Sequence, residues 1–299
     1  MTLVEPALQT PEVEPAGAVL RRGLMRRLWA SPSGRIGFVI VAVLLLITIA
    51  AGLGLRPHPP LYQDITLRLD GPSAGHPLGT DQFGRDVASR VMQGVLSSLR
   101  VAAVAVAIAT VVGSLAGIAA GFFGGWTDRI IGRVTDMLFA FPAILLALAV
   151  LVALGRGWFN TVIAIAIVYT PIFVRVTRGP VLTVRELEFV KAGRVLGYRP
   201  ARLLFRHVLP NVTAPIIVQC ALALSWAILT ETSLSFLGLG TQPPNPSLGL
   251  MVSEARTLVT RAWGVLGAPA TAIAVAVIGL NLLGDGLRDA FDPTRSGRR

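Results

Sequence analysis

Charge is distributed very unevenly along the chain. Six stretches of 18–23 residues contain no Asp, Glu, Lys or Arg: Ile36–Leu55, Val101–Phe123, Met137–Gly155, Gly157–Val174, Val212–Thr230 and Ala262–Gly284. About 20 predominantly apolar residues cross the hydrocarbon core of a bilayer as a helix, so each stretch predicts a span. The third is expected to start near Ile130, with Arg133 and Asp136 in its first turns. A seventh uncharged run, Thr232–Ser253, contains Gly238, Gly240, Pro243, Pro244 and Pro246. Proline removes a backbone donor and clashes with the preceding turn, so this run predicts a loop. Lipid offers such a backbone no partners, which makes it a loop packed on protein or re-entrant. The pattern predicts an all-α integral membrane protein with six transmembrane helices, about 36–55, 101–123, 130–155, 157–174, 212–230 and 262–284.

Composition supports a lipid solvent. The 299 residues are 53% hydrophobic and only 14% charged, with a mean hydropathy of +0.68. A soluble domain carries about 25% charged residues, and the deficit here excludes disorder of the whole chain. Collagen-like repeats are absent, and the single cysteine, Cys220, cannot close an intrachain bridge. It reads as a packing residue in the fifth span.

The net charge of +11 is read as an orientation signal rather than as nucleic-acid binding. Cytoplasmic loops of membrane proteins are enriched in Lys and Arg. With six spans and a cytoplasmic N-terminus, 19 of the 27 basic residues fall on the inside. A seven-span parsing would place Arg288, Arg295, Arg298 and Arg299 outside, so both termini are expected in the cytoplasm. Residues 1–20 are expected to form a disordered cytoplasmic head, and 21–299 the transmembrane domain. The first apolar run is longer than the about 7–15 residues of a cleavable signal and is expected to stay as an anchor. Gly113, Gly117 and Gly121 recur at helical spacing, which predicts a close packing face within the chain. Arg133 and Asp136, three apart, predict a local helix pair.

The longest inside loop, Arg175–Asn211, is too apolar for a linker and too short for a domain. Glu186–Leu196 reads as a short helix with Phe189, Ala192, Gly193 and Leu196 along one face. Gly197 is placed to end it, because glycine adopts the left-handed conformation at low cost. Pro200 suits the first turn of a second helix, Ala201–Val208. Pro210 is expected to stop that helix before the fifth span. The residues alone leave open a protein-docking surface and an interfacial helix on anionic lipid.

Chemistry of the enzymatic kind finds no motif. The one lysine, Lys191, follows no glycine-rich phosphate loop, so ATP is not bound by that route. There is no His-Glu-x-x-His pair, and His58, His76 and His207 lie far apart in sequence. No Gly-x-Ser-x-Gly elbow occurs. The midplanes of the spans lack the carboxylates expected of an ion-coupled carrier. The chain is not expected to be an enzyme or to hold a metal or cofactor of its own.

At Arg175–Asn211 the sequence resembles the permease subunits of bacterial ABC importers. Their signature, Glu-Ala-Ala, three residues, Gly, nine residues, Ile-x-Leu-Pro, reads here Lys191-Ala192-Gly193, Gly197 and His207-Val208-Leu209-Pro210. Lys191, Gly193 and His207 depart from it. Arg206–Asn211 and Glu188-Phe189-Val190-x-Ala192 look like the dipeptide/oligopeptide/nickel branch. Gly79-Thr80-Asp81-x-x-Gly84-Arg85-Asp86, Phe122–Arg129, Glu231–Gly240 and Gly284–Ala290 agree along the chain. The last looks like the C-type member of a two-permease pair.

The resemblance implies the type I ABC importer permease fold in a bacterial cytoplasmic membrane. It further implies a second homologous permease, two ATPase subunits or domains carrying ATP and Mg, and an extracytoplasmic solute-binding protein. Glu188, Ala192, Gly193, Gly197, Arg206, His207, Leu209 and Pro210 would couple to the ATPase. Asp81, Arg85 and Asp86 would meet the binding protein or form a self-contained network holding the outer loop. The solute would be a dipeptide or oligopeptide, with nickel or another small solute as the alternative within the family. An ATP-independent channel or carrier and a membrane scaffold are the competing classes.

Overall fold

The computed structural model describes residues 23–291. The predicted disordered head and the tail arginines Arg295, Arg298 and Arg299 lie outside them. In chain order the helices are α1 (Leu24–Ala30), α2 (Pro32–Gly52), α3 (Val87–Phe123), α4 (Gly125–Phe139), α5 (Ala143–Leu154) and α6 (Trp158–Val184). They continue with α7 (Glu188–Val195), α8 (Pro200–Leu203), α9 (Leu209–Phe236), α10 (Leu248–Ala255) and α11 (Trp263–Phe291). No strand occurs among the described residues; Thr80 and Asp86 form an isolated bridge. Five helices are long and apolar enough to cross a membrane, and the bent pair α4–α5 makes a sixth if it counts as one span.

Four differences from the sequence expectations have local causes. Helix α3 begins at Val87 rather than Val101, because the Asp86 side chain accepts a hydrogen bond from the Ser89 N–H and caps it. The expected span 130–155 is two helices meeting at 94°. Pro142 disfavours helical backbone at Phe141 and is itself extended, with ψ 131°. The third difference is at Pro210, which does not stop the helix. The segment Leu204–Val208 is a π-turn, and the Leu209 N–H reaches back to the Leu204 carbonyl, so α8, the turn and α9 form one 37-residue helix, Pro200–Phe236. A wide turn tolerates an imino acid at its exit because the strict i→i−4 ladder is already interrupted. Lastly, the uncharged run 232–253 is a loop only in its middle: α9 continues to Phe236 and α10 resumes at Leu248. Pro243, Pro244 and Pro246 all fall between them.

Water does not drive helix association inside a bilayer, so close backbone contact must. Gly113, Gly117 and Gly121 form the α3–α6 seam. A Cβ on Gly113 would stand 2.6 Å from the Thr170 carbonyl oxygen, and one on Gly117 2.6 Å from that of Val174. The expected packing face is therefore internal to the chain. A second seam joins α2 to α11, where a Cβ on Gly37 would overlap the Leu283 nitrogen. Polar side chains add cross-links: Thr177 to Ser114 (3.3 Å), Tyr169 to Thr230 (3.0 Å) and Ser225 to Asn281 (3.1 Å). Cys220 lies half-buried, 3.2 Å from the Thr110 hydroxyl. Around this bundle Leu46, Ile49, Val111 and Val152 stay exposed, as a lipid-facing surface requires.

Asp136 does not pair with Arg133. Its partner is Arg175 at 2.8 Å, because α4 packs along the end of α6. One turn away Arg178 grips Asp128 with two nitrogens, at 2.5 and 2.7 Å.

Gly117→Val should destabilise the bundle by about 1–3 kcal/mol, the usual cost of overpacking. Gly132→Ala is the control, since nothing lies within 4 Å of its added Cβ. Thermal unfolding in detergent checks both: the first should unfold at lower temperature, the second should not.

Candidate functional site

The two ends of α3 carry the two polar constellations singled out by the sequence. At its C-terminal end lies the segment from α6 to α9. Val190 is fully buried, and it packs with Ile118 and Phe122 of α3, Val181 and Val184 of α6, Leu203, Val208 and Val212. Gly193 faces the same way: a Cβ there would stand 2.7 Å from Leu203 Cδ2. The packed face of α7 is thus Val190 and Gly193, and of the four residues expected along one face only Gly193 is buried.

The remaining apolar residues of α7 and its flanks point outward. Val195 is 87% exposed, Leu196 69% and Phe205 65%, with Phe189 and Leu187 both more than a third exposed. Exposed apolar side chains interspersed with Glu188, Lys191, Arg194 and Arg206 are the kind of surface that marks a binding partner. These four charged residues and Ala192 are exposed. His207, half-buried in the π-turn, has its ring 6.0 Å from that of Phe189. Leu209 and Pro210 are half-buried in the first turn of α9. Of the predicted coupling residues, then, Glu188, Ala192 and Arg206 stand on the surface, while Gly193 secures it from beneath.

The turn between α7 and α8 is built as a Schellman closure. The Tyr198 N–H donates to the Gly193 carbonyl (3.0 Å) and the Gly197 N–H to that of Arg194 (3.0 Å), with Gly197 at φ +74°. Pro200 then opens α8. Arg202 lies over the Tyr198 ring at 4.4 Å, and Arg194 over Phe122 at 5.0 Å. Arg185 donates to the Gly121 carbonyl at 2.6 Å and ties the loop back to α3. Lys191, which stands where the resembled signature has a carboxylate, reaches Glu186 at 3.3 Å. Its hydrogen bond and charge hold the Glu186 carboxyl below its usual range, with Arg185 adding to the effect.

At the N-terminal end of α3 the Gly79–Asp86 motif folds into a tight, buried turn. Asp81 accepts from the N–H groups of Phe83 (2.8 Å) and Arg85 (3.1 Å), and from Arg85 Nε at 2.6 Å. Gly84 has φ +70°, and any Cβ would overlap the Asp64 carbonyl. Arg85 and Arg90 both donate to Glu254 of α10 at 2.9 Å, and Arg90 Nε stands 3.4 Å from Asp81. Asp81, Arg85 and Asp86 are all buried. The structure joins Asp81 and Arg85 in an ion pair, whereas the Asp86 side chain caps α3 and faces His76. The structure also adds Arg90 and Glu254, which sequence reasoning missed because Glu254 lies 164 and 169 residues from its partners.

Removing Glu254 leaves two guanidinium groups sharing the one carboxylate of Asp81. Glu254→Ala should therefore cost about 3 kcal/mol, in the range for breaking a buried ion pair. Thermal unfolding in detergent checks this, and a variant as stable as the parent would show the network to be energetically silent.

Residues 113–297 match the family described as binding-protein-dependent transport system inner membrane component. A dipeptide transport system permease protein of Alkalihalophilus pseudofirmus is 42% identical over 97% of this chain and 95% of its own length. The glutathione transport system permease protein of Pectobacterium atrosepticum is 44% identical over 84% of each chain. A di/tripeptide transport system permease protein of Pseudomonas aeruginosa is 41% identical over 89% of each. Among solved structures, an amino acid ABC transporter crystallised with histidines overlays with a TM-score of 0.51 at 14% identity. The overlay covers 67% of this chain and 93% of that one, a likeness of fold.

Proposed function

The chain belongs to the family of binding-protein-dependent transport system inner membrane components, and from that premise we propose that it is a permease subunit of an ATP-driven importer of dipeptides or oligopeptides. It is a multi-pass inner-membrane protein of permease type. The solute class rests on the relatives, whose names specify dipeptides, di/tripeptides and the tripeptide glutathione. The observation that carries the mechanism is α7: pinned on one side by Val190 and Gly193, it presents Phe189, Val195 and Leu196 outward.

In this reading α7 docks on a partner ATPase, which binds ATP and Mg. The exposed apolar side chains supply contact area, and Glu188 and Arg206 among them select the partner's charges. The excess of basic residues on this side supports a cytoplasmic position for it and for both termini. Gly193, Gly197, Leu209 and Pro210 act by positioning. The Schellman turn sets the angle between α7 and α8, and α8 is continuous with α9 through His207 and the π-turn. A helix of 37 residues is about 55 Å long at 1.5 Å per residue. A displacement of the docked segment therefore passes directly into a membrane span. ATP-driven closure of the partners would favour one packing of the spans and release the other, as any ligand-driven change must.

The complete machine would contain a second homologous permease, two ATPase subunits or domains, and an extracytoplasmic binding protein that meets the other end of the bundle. There the buried Asp81–Arg85–Arg90–Glu254 network shapes the surface from within. Around the spans, lipid is the remaining partner.

Purification of the full chain from its native membrane in mild detergent tests the assembly. Recovery of a second six-span permease together with ABC ATPases is expected. Recovery of the chain alone, or as a homo-oligomer, would overturn the docking role of α7. A sharper prediction concerns Gly197→Pro: proline cannot adopt φ +74° and lacks the N–H given to Arg194. Membrane insertion should persist while ATP-dependent peptide uptake into cells falls to background; normal uptake would refute the lever.

A further inference from the structure

His58, His76 and Asp86 come from successive parts of the connection after α2 and converge where it meets the first turn of α3. One potential ligand atom from each lies within 4.8 Å of the others. The two imidazoles are stacked, with centroids 4.5 Å apart and planes at 26°. His76 Nδ1 is 3.0 Å from Asp86 Oδ1. His58 Nδ1 is buried without a hydrogen-bond partner. None of this belongs to the ATPase-facing segment, and none of it enters the Asp81–Glu254 network.

We propose that His58, His76 and Asp86 form a binding site for a divalent transition-metal ion of the Zn²⁺ class, which clamps the segment after α2 onto the start of α3. Neutral imidazole and carboxylate are the donors that borderline divalent metals favour, and three protein ligands plus water complete a four-coordinate shell. With bonds of about 2.0–2.1 Å, ligand atoms in such a shell stand about 3.3 Å apart. The His76–Asp86 separation of 3.0 Å is somewhat shorter than that, so a small opening of this hydrogen bond turns it into two ligand positions. Only His58 must close in by a side-chain rotation, and its unpartnered nitrogen loses nothing by moving.

The surroundings hold the donors in place. Ser89 does so twice: its N–H donates to Asp86 Oδ2 at 2.7 Å, and its hydroxyl accepts from the His58 N–H at 2.9 Å. Asp86 can thus offer Oδ1 to a metal while Oδ2 remains fixed. Support of this kind around the ligands governs both orientation and affinity. Asp86 is fully buried and the two histidines are half-buried, so the site is reachable from the end of the bundle opposite α7.

The test uses the full-length chain, carrying a histidine-free affinity tag, in detergent micelles. It requires neither ATPase nor solute, so its outcome is separate from that of the transport reading. After exposure to ZnCl₂ and gel filtration, the parent should retain about one Zn²⁺ per chain, as a four-coordinate protein site demands. Its unfolding temperature should rise with added Zn²⁺ and fall back with EDTA. His58→Ala should reduce bound zinc to background while unfolding like the metal-free parent, since its side chain makes no hydrogen bond through Nδ1. Asp86→Asn, which preserves the helix cap, should weaken binding at least tenfold. Cobalt titration of the parent alone should give the ligand-field bands of a four-coordinate site, bleached by Zn²⁺. A parent that takes up no metal, or a His58→Ala chain that retains as much as the parent, would overturn the proposal.

Discussion

Everything in this chain hangs on how closely α3 and α6 can approach. Lipid competes for apolar contact as well as protein does, so the contact must come from backbones meeting with no side chain between them. Gly113, Gly117 and Gly121 permit that, and their neighbours on α6 are Thr170, Val174, Thr177 and Val181. Because α3 is 37 residues long, this one seam holds in place both the buried arginine network at its start and the α7 platform at its end. Arg185, bonded to the Gly121 carbonyl, is where seam and platform join.

The platform itself shows how one short helix can serve two apolar surfaces. Eight residues give about two turns, enough for one buried face and one exposed face. Val190 and Gly193 take the first, and Phe189, Ala192 and Leu196 the second. Gly193 is the residue that makes the division possible, since Leu203 and Tyr198 occupy the space of its missing Cβ.

The long apolar stretches were legible in sequence because lipid imposes a length and a composition on any helix that crosses it. A local motif was legible too: Gly197 ends α7 in the left-handed conformation. What could not be read were features set by contacts across the fold. The packing of α4 along the end of α6 diverts Asp136 from Arg133 to Arg175. The passage of helix through Pro210 depends on a π-turn that no residue pattern announces. Sequence shows which residues of α7 are apolar but not which are covered, so the burial of Val190 and Gly193 beside exposed Phe189, Ala192 and Leu196 could not be read from it. Glu254 was invisible for a related reason, its partners being on the far side of four spans.

That separation has a bearing on biogenesis. Arg85 and Arg90 emerge early in synthesis, whereas Glu254 follows Arg90 by 164 residues. Until α10 is made, the two cations have only Asp81 between them, at the margin of the membrane. The cluster becomes neutral enough to bury only once the bundle is nearly finished. The ion network thus acts as a record of completion: a truncated or stalled chain keeps an unpaired positive charge where a finished one is sealed.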